Sequence, residues 1–159
     1  MSQTKSTPVV LPAHHPGAGW FEGRAHVLPV RIYYEDTDFT GVVYHANYLR
    51  YFERGRSDFL RLIGLDHTLL AGWDEPTAFV ILRMTLDFKR AARVDDALWV
   101  RTFYEQVRGA RLMIRQQIER GAEILVTAEV EAACIDLDAK PKRPPAALVR
   151  ILRPYFHHE

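Results

Sequence analysis

The chain has 159 residues, 48% of them hydrophobic and 26% charged, which is enough for one domain with a substantial core. Its 21 Lys and Arg stand against 20 Asp and Glu, so the formal charge of +1 excludes a global pull toward nucleic acid or acidic membranes, and any anion site must be local. The single cysteine, Cys134, excludes an intrachain disulfide, reads as a packed core thiol, and fits a reducing, cytoplasmic setting.

At the N-terminus, MSQTKSTPVVLPAHHPGAGW lacks the apolar stretch of a secretory signal. Its prolines and glycines predict a flexible arm over residues 1–25, ahead of one domain at 26–159. No run approaches the ~20 apolar residues that cross a bilayer. A first strand is expected over 26–34, where Val30 and Ile32 alternate with Arg31 and Tyr33, and Pro29 favours an edge position.

An acid-rich turn follows, and from Asn47 the apolar period becomes helical. Tyr48, Tyr51, Phe52, Gly55, Phe59, Leu62 and Ile63 share one face, while Arg50, Glu53, Arg54, Ser57, Asp58 and Arg61 fall mainly opposite. Asn47 suits the N-cap and Gly64 the position after the last turn, predicting a helix about 24 Å long. Gly55 costs roughly 1 kcal/mol against alanine inside a helix. Its place on the inner face predicts close packing against something broad.

Strand alternation then takes over. Val80, Leu82, Met84, Leu86 and Phe88 alternate with Ile81, Arg83, Thr85, Asp87 and Lys89. Residues 98–105 and 111–119 predict a hairpin turning near Gly109. Beyond Gly121, Ile124, Val126, Ala128, Val130, Ala132 and Cys134 form one buried face. Pro144 and Pro145 open a short helix that Pro154 stops. The predicted class is α+β, with an antiparallel sheet laid against one long helix.

The run EDTDFTGVVYHANYLRYFERGRSDFLR, continued by AFVILRMTLDFKRAARVDDALWVRT and ending near DLDAKPKRPP, carries a family resemblance. It resembles hot-dog acyl-CoA thioesterases of the 4-hydroxybenzoyl-CoA thioesterase class, in particular the YbgC-like branch associated with the Tol-Pal envelope system. The resemblance implies a hot-dog fold, one long central helix wrapped by a curved antiparallel five-stranded sheet. It also implies a homodimer or homotetramer with its active site at the dimer interface, and a substrate that is acyl-CoA or an acyl carrier protein thioester. No cofactor is implied.

The family pattern makes Asp38, before Gly41, the catalytic carboxylate, acting as nucleophile or as general base. Glu35 and Asp36 crowd it, and like charges with partial burial predict a raised pKa. Asp36 reads as a turn residue. Gly41 permits an unusual backbone conformation or a close approach. Amides of Val43, Tyr44 or His45 are candidates to polarise the thioester carbonyl, because the first amides of a helix lack intrahelical acceptors. His45 suits either proton transfer or an ordinary hydrogen bond near the cap; Tyr44 reads as packing or as a hydroxyl donor.

CoA carries phosphates, for which the family position nominates Lys89, Arg90 and Arg93, with Arg83 on the same strand face as Lys89. Lys140, Lys142 and Arg143 form a second basic group. Tyr51, Phe59, Phe79 and Ile81 either line an acyl pocket or fill the core. His14, His15, His157 and His158 lack metal-site spacing and read as tail residues. No phosphate loop, nucleophile elbow or basic nucleic-acid face is present in the sequence. Two other readings are a dehydratase using His45 with Glu53, and a non-enzymatic module binding acyl carriers or envelope proteins.

Overall fold

The computed structural model describes residues 18–157. Most of the expected arm, with His14, His15 and His158, lies outside the described residues. The strands are β1 (Trp20–Glu22), β2 (Ala25–Arg31), β3 (Ala78–Phe88), β4 (Ala97–Arg108), β5 (Arg111–Arg120) and β6 (Glu123–Ile135). They form one six-stranded sheet in the order β1-β2-β4-β5-β6-β3, with every neighbouring pair antiparallel. The strand beyond the expected five is β1, which folds back on Ala25, His26 and Val27. Residues 20–22 of the expected arm are therefore part of the sheet.

The long helix is α1 (His45–Leu62), with short helices α2 (His67–Ala71) and α3 (Ala146–Leu152). At 18 residues, α1 is about 27 Å long. It starts earlier than the Asn47 cap predicted. Tyr44 is the N-cap, and Asn47 sits inside the first turn, where its side chain donates to the carbonyl of Asp36 at 2.8 Å. A distant acceptor thus redirects a side chain that local chemistry would use as a cap.

β2 also stops short of the predicted span. After Arg31 the chain enters a 3-10 turn, Tyr34–Asp36, because the Asp36 carboxylate accepts from the Tyr33 amide at 2.7 Å. Pro29 does sit where the sheet has no outer neighbour, since β1 covers β2 only at residues 25–27.

The inner face of α1 packs on β2 and β4 around buried Phe52 and Phe59. Tyr51 and Phe59 are core residues, not exposed pocket walls. The tight approach expected at Gly55 is present: a Cβ there meets Thr102 Oγ1 at 2.8 Å and Val100 Cγ1 at 3.0 Å. Beneath it, buried Gln116 donates to Thr102 Oγ1 and to the carbonyl of Phe52.

A second buried polar contact ties α1 to β2. His26 Nε2 lies 2.7 Å from Asp58 Oδ2, and the Gly19 amide donates to the same oxygen at 2.8 Å. Burial pushes the Asp58 carboxyl up, but the His26 and Gly19 hydrogen bonds and the nearby Arg61 outweigh it, leaving it below the usual range.

β3 departs most from the predicted alternation. Its register against β6 shifts between Ile81 and Arg83, so Leu82 is an extra residue. Opposite partners share a face, and Ile81 stands across from Ala132 while Met84 stands across from Val130. The extra residue therefore turns Phe79 and Ile81 inward, where simple alternation put Val80 and Leu82. Leu82 is half exposed. The predicted inner face of β6 holds except at Ile124, which a second bulge beside Glu119 leaves exposed. Cys134 is fully buried in that face, and burial raises its thiol pKa. His157 is not a loose tail residue: its amide donates to the Tyr104 carbonyl and its ring packs on Phe103.

Candidate active site

Asp38 is held by its own turn. Its Oδ1 accepts from the Thr40 amide at 2.7 Å and the Thr40 hydroxyl at 2.6 Å. The Asp38 amide donates to the Val42 carbonyl, and the Gly41 amide to the Asp38 carbonyl. Gly41 has φ +81° with nothing within 4 Å of a Cβ, so its conformation, not space, demands glycine. The Val42 amide also contributes a weaker hydrogen bond to the Asp38 carboxylate.

The raised Asp38 pKa expected from Glu35 and Asp36 is overturned. The Thr40 hydroxyl and then its amide stabilise the carboxylate, with a smaller contribution from the His45 charge, and hold it below the usual aspartate range. Desolvation pushes the carboxyl up by less than the Thr40 bonds push it down, and the Asp36 carboxylate accepts from the Tyr33 amide.

The helix entrance is clamped from two sides. The Val43 amide donates to the Ala92 carbonyl at 2.9 Å, and the Tyr44 amide to the Asp36 carbonyl at 2.9 Å. Two of the three candidate amides are thereby used. The third, His45, opens α1, where the first amides have no intrahelical acceptor. Ala92 is fully buried, and its amide donates to the Tyr48 hydroxyl at 3.1 Å. Sequence reasoning missed Ala92, Tyr48 and the Asn47 side chain as positioning groups. Only a small apolar residue between basic neighbours hinted at the first.

His45 is exposed, with its ring 4.6 Å from Tyr44 and 6.4 Å from Phe88. Tyr44 caps the helix through its backbone, and its half-exposed ring packs against His45. Glu53, the partner of His45 in the dehydratase reading, lies about 12 Å further along the helix axis. It accepts from Ser57 instead.

Lys89, Arg90 and Arg93 come to this entrance. The amides of Lys89 and Arg90 both donate to the Leu125 carbonyl, and Arg93 forms a bridge with Val42 beside the Asp38 turn. All three side chains are exposed, and Arg90 has only a loose contact with Glu123 at 4.0 Å. Arg83 does not join them. Strand spacing puts it about 20 Å from Lys89, in an outer-face groove with Glu105, Arg108, Glu129 and Glu131. Lys142 is also elsewhere, donating to the Pro76 carbonyl. No group of His, Cys, Asp and Glu among the described residues is arranged to hold a metal, and no described helix is long and apolar enough to cross a membrane.

The start of α1 thus brings together the Asp38 carboxylate, a helix amide with no acceptor among the described residues, and three exposed cations. The thioesterase-like superfamily profile matches residues 33–152. The chain belongs to the thioesterase-like superfamily. It is 42% identical over 132 residues to the acyl-CoA thioesterase YbgC of Haemophilus influenzae, covering 82% of this chain and 93% of that one. It is 41% identical to the acyl-CoA thioester hydrolase YbgC of Escherichia coli, covering 76% and 90%. Among solved structures, a probable thioesterase of Bartonella henselae has a TM-score of 0.73 and 46% identity, covering 76% of this chain and 99% of that one. The helix-and-sheet architecture is thus the superfamily's hot-dog fold.

Proposed function

We propose that this superfamily member hydrolyses acyl-CoA thioesters to a carboxylic acid and free CoA, with Asp38 as the reacting carboxylate. The observation that supports it best is the pairing of a fixed, ionised Asp38 with the free amide of His45 at the start of α1. The thioester oxygen accepts from that amide, where the helix end favours developing negative charge. Asp38 Oδ2, free of the Thr40 bonds, either takes a proton from the attacking water or attacks the carbonyl itself. In both routes the C–O bond forms, the C–S bond breaks and CoA leaves as a thiolate that takes up a proton; in the direct route water then hydrolyses the acyl–Asp38 anhydride and restores the carboxylate. In this reading His45 supplies the thiolate's proton. Lys89, Arg90 and Arg93 meet the CoA phosphates.

Asp38 and His45 lie on an open surface, so one copy supplies only one wall of the site. A dimer supplies the second wall, joined through β3, an edge strand paired, among the described residues, only with β6. The test is thiol release by Asp38→Asn. The variant is expected to fold normally by circular dichroism and to lose about 10²- to 10⁴-fold in kcat/KM. Wild-type turnover by the folded variant would remove Asp38 from the chemistry.

A further inference from the structure

β3 and β4 are consecutive in the chain but separated in the sheet by β5 and β6, so the connection 89–96 runs across the ends of those two strands. Residues around the β5–β6 turn hold it there. The Leu125 carbonyl accepts from the amides of Lys89 and Arg90. Arg120, the last residue of β5, donates from Nη1 to the Ala91 carbonyl at 3.2 Å and to Asp96 Oδ2 at 2.8 Å, and from Nη2 to Glu123 at 2.6 Å. One guanidinium therefore ties together both ends of residues 91–96.

Between those two ends lie the groups that fasten the helix entrance. The Ala92 carbonyl accepts from the Val43 amide, and Arg93 bridges Val42, whose carbonyl accepts from the Asp38 amide. The placement of Asp38 and of the start of α1 thus depends on the shape of residues 91–96. That shape is not self-supporting, because Asp95 has φ +72°, which L side chains rarely adopt and which surrounding contacts must hold. The Ile32 backbone pairs with that of Asp95 and Asp96. Asp96 Oδ2 in turn accepts from the Arg93 amide at 2.9 Å as well as from Arg120. Burial pushes the Asp96 carboxyl up, but these two donors outweigh it and leave it below the usual range, so the pair stays charged.

We propose that Arg120, acting through Asp96 and Ala91, is a positioning residue for thioester hydrolysis: it braces residues 91–96 so that the His45 amide and the Asp38 carboxylate address the same carbonyl. The cations of the rim are held differently, since Lys89 and Arg90 hang from Leu125. Loss of the brace therefore acts on the chemical step and not on the binding of CoA. The Arg120 and Asp96 side chains are 36% and 24% exposed, and an ion pair this open to solvent adds little to global stability, so its removal leaves the fold in place.

The inference rests on the thioesterase reading, and the two fail separately. Thiol release by the wild type is measured with acetyl-, butyryl-, benzoyl- and palmitoyl-CoA. Release from none of them overturns the thioesterase reading and this inference with it. With the best of these substrates, Arg120→Met is expected to lower kcat about tenfold or more and to leave KM nearly unchanged, with the circular dichroism of the wild type. Arg120→Lys restores the charge and is expected to recover part of the loss.

Two further variants separate the brace from its alternatives. Asp96→Asn keeps an acceptor for the Arg93 amide but loses the charge; it is expected to lower kcat in the same sense, and it decides the matter if Arg120→Met does not fold. Arg120→Met combined with Asp96→Asn is expected to turn over no more slowly than the slower single variant, because the two side chains act as one unit. An unchanged kcat in the folded variants, a loss confined to KM, no recovery with lysine, or additive losses in the double variant overturns the positioning role and leaves the thioesterase reading standing.

Discussion

Thr40 sets how readily Asp38 ionises. Two donors from this one residue fix Oδ1 and lower the carboxyl pKa. A base with a lowered pKa stays ionised to lower pH, so the acidic limb of kcat/KM is expected below the ordinary aspartate value of about 3.9. Thr40→Val removes the hydroxyl donor and keeps the amide. Its acidic limb is expected to move to higher pH in thiol-release profiles. A limb that does not move would mean that another group controls ionisation. Asp58, grouped with the polar positions of the long helix in the sequence, is buried because it is the partner of His26 and of the Gly19 amide.

At the scale of elements, the position of α1 depends on two buried polar contacts with the sheet. His26 Nδ1 has no partner among the described residues, so removing Asp58 leaves the imidazole wholly unpaired. Asp58→Ala is expected to cost about 3 to 5 kcal/mol in urea unfolding, the range for breaking a buried pair. The sign with pH follows from the lowered Asp58 pKa. Its stabilisation is fully present above the unfolded value of about 3.9 and is lost as pH falls through the lower folded value. The wild type is therefore expected to lose stability more steeply than Asp58→Ala below about pH 4. Gly55 is the second contact point. Alanine there gains roughly 1 kcal/mol of helix propensity, but its Cβ meets Thr102 Oγ1 at 2.8 Å, a hydroxyl already bonded to Gln116. Gly55→Ala is expected to be net destabilising by about 1 to 3 kcal/mol, as overpacking usually is; a raised melting temperature would contradict that.

For the molecule as a whole, the β3 edge, paired among the described residues only with β6, and the exposed Asp38 turn are both accounted for by the proposed dimer. The outer face of the sheet is largely self-satisfied, with Arg101 between Glu22 and Glu119, Arg115 on Glu105 and Arg111 on Glu131. The β3 edge carries apolar residues instead. Lysine on an edge strand opposes strand pairing, so Leu82→Lys is expected to give a monomer in native mass spectrometry and to lose thioester hydrolysis together with assembly. A fully active monomer would show that one copy holds a complete site.

The sequence by itself determined the α+β class, the extent of the long helix to within three residues at its start, the β4–β5 hairpin, and the family. Each depends on periodicity or on a motif read along a short stretch of chain, where neighbours in sequence are neighbours in space. Tertiary structure decided what those elements do to one another. Asn47 is no cap because Asp36 reaches it across the turn, and Ala92 fastens the basic segment to the helix entrance from far along the chain. Asp38 is lowered rather than raised because hydrogen-bond geometry outweighs the number of nearby acids. Phe79 and Ile81 face inward because one extra residue, Leu82, shifts the register of β3 against β6. A bulge and a cross-chain clamp are agreements between distant segments, and no local pattern of apolar and polar residues encodes them.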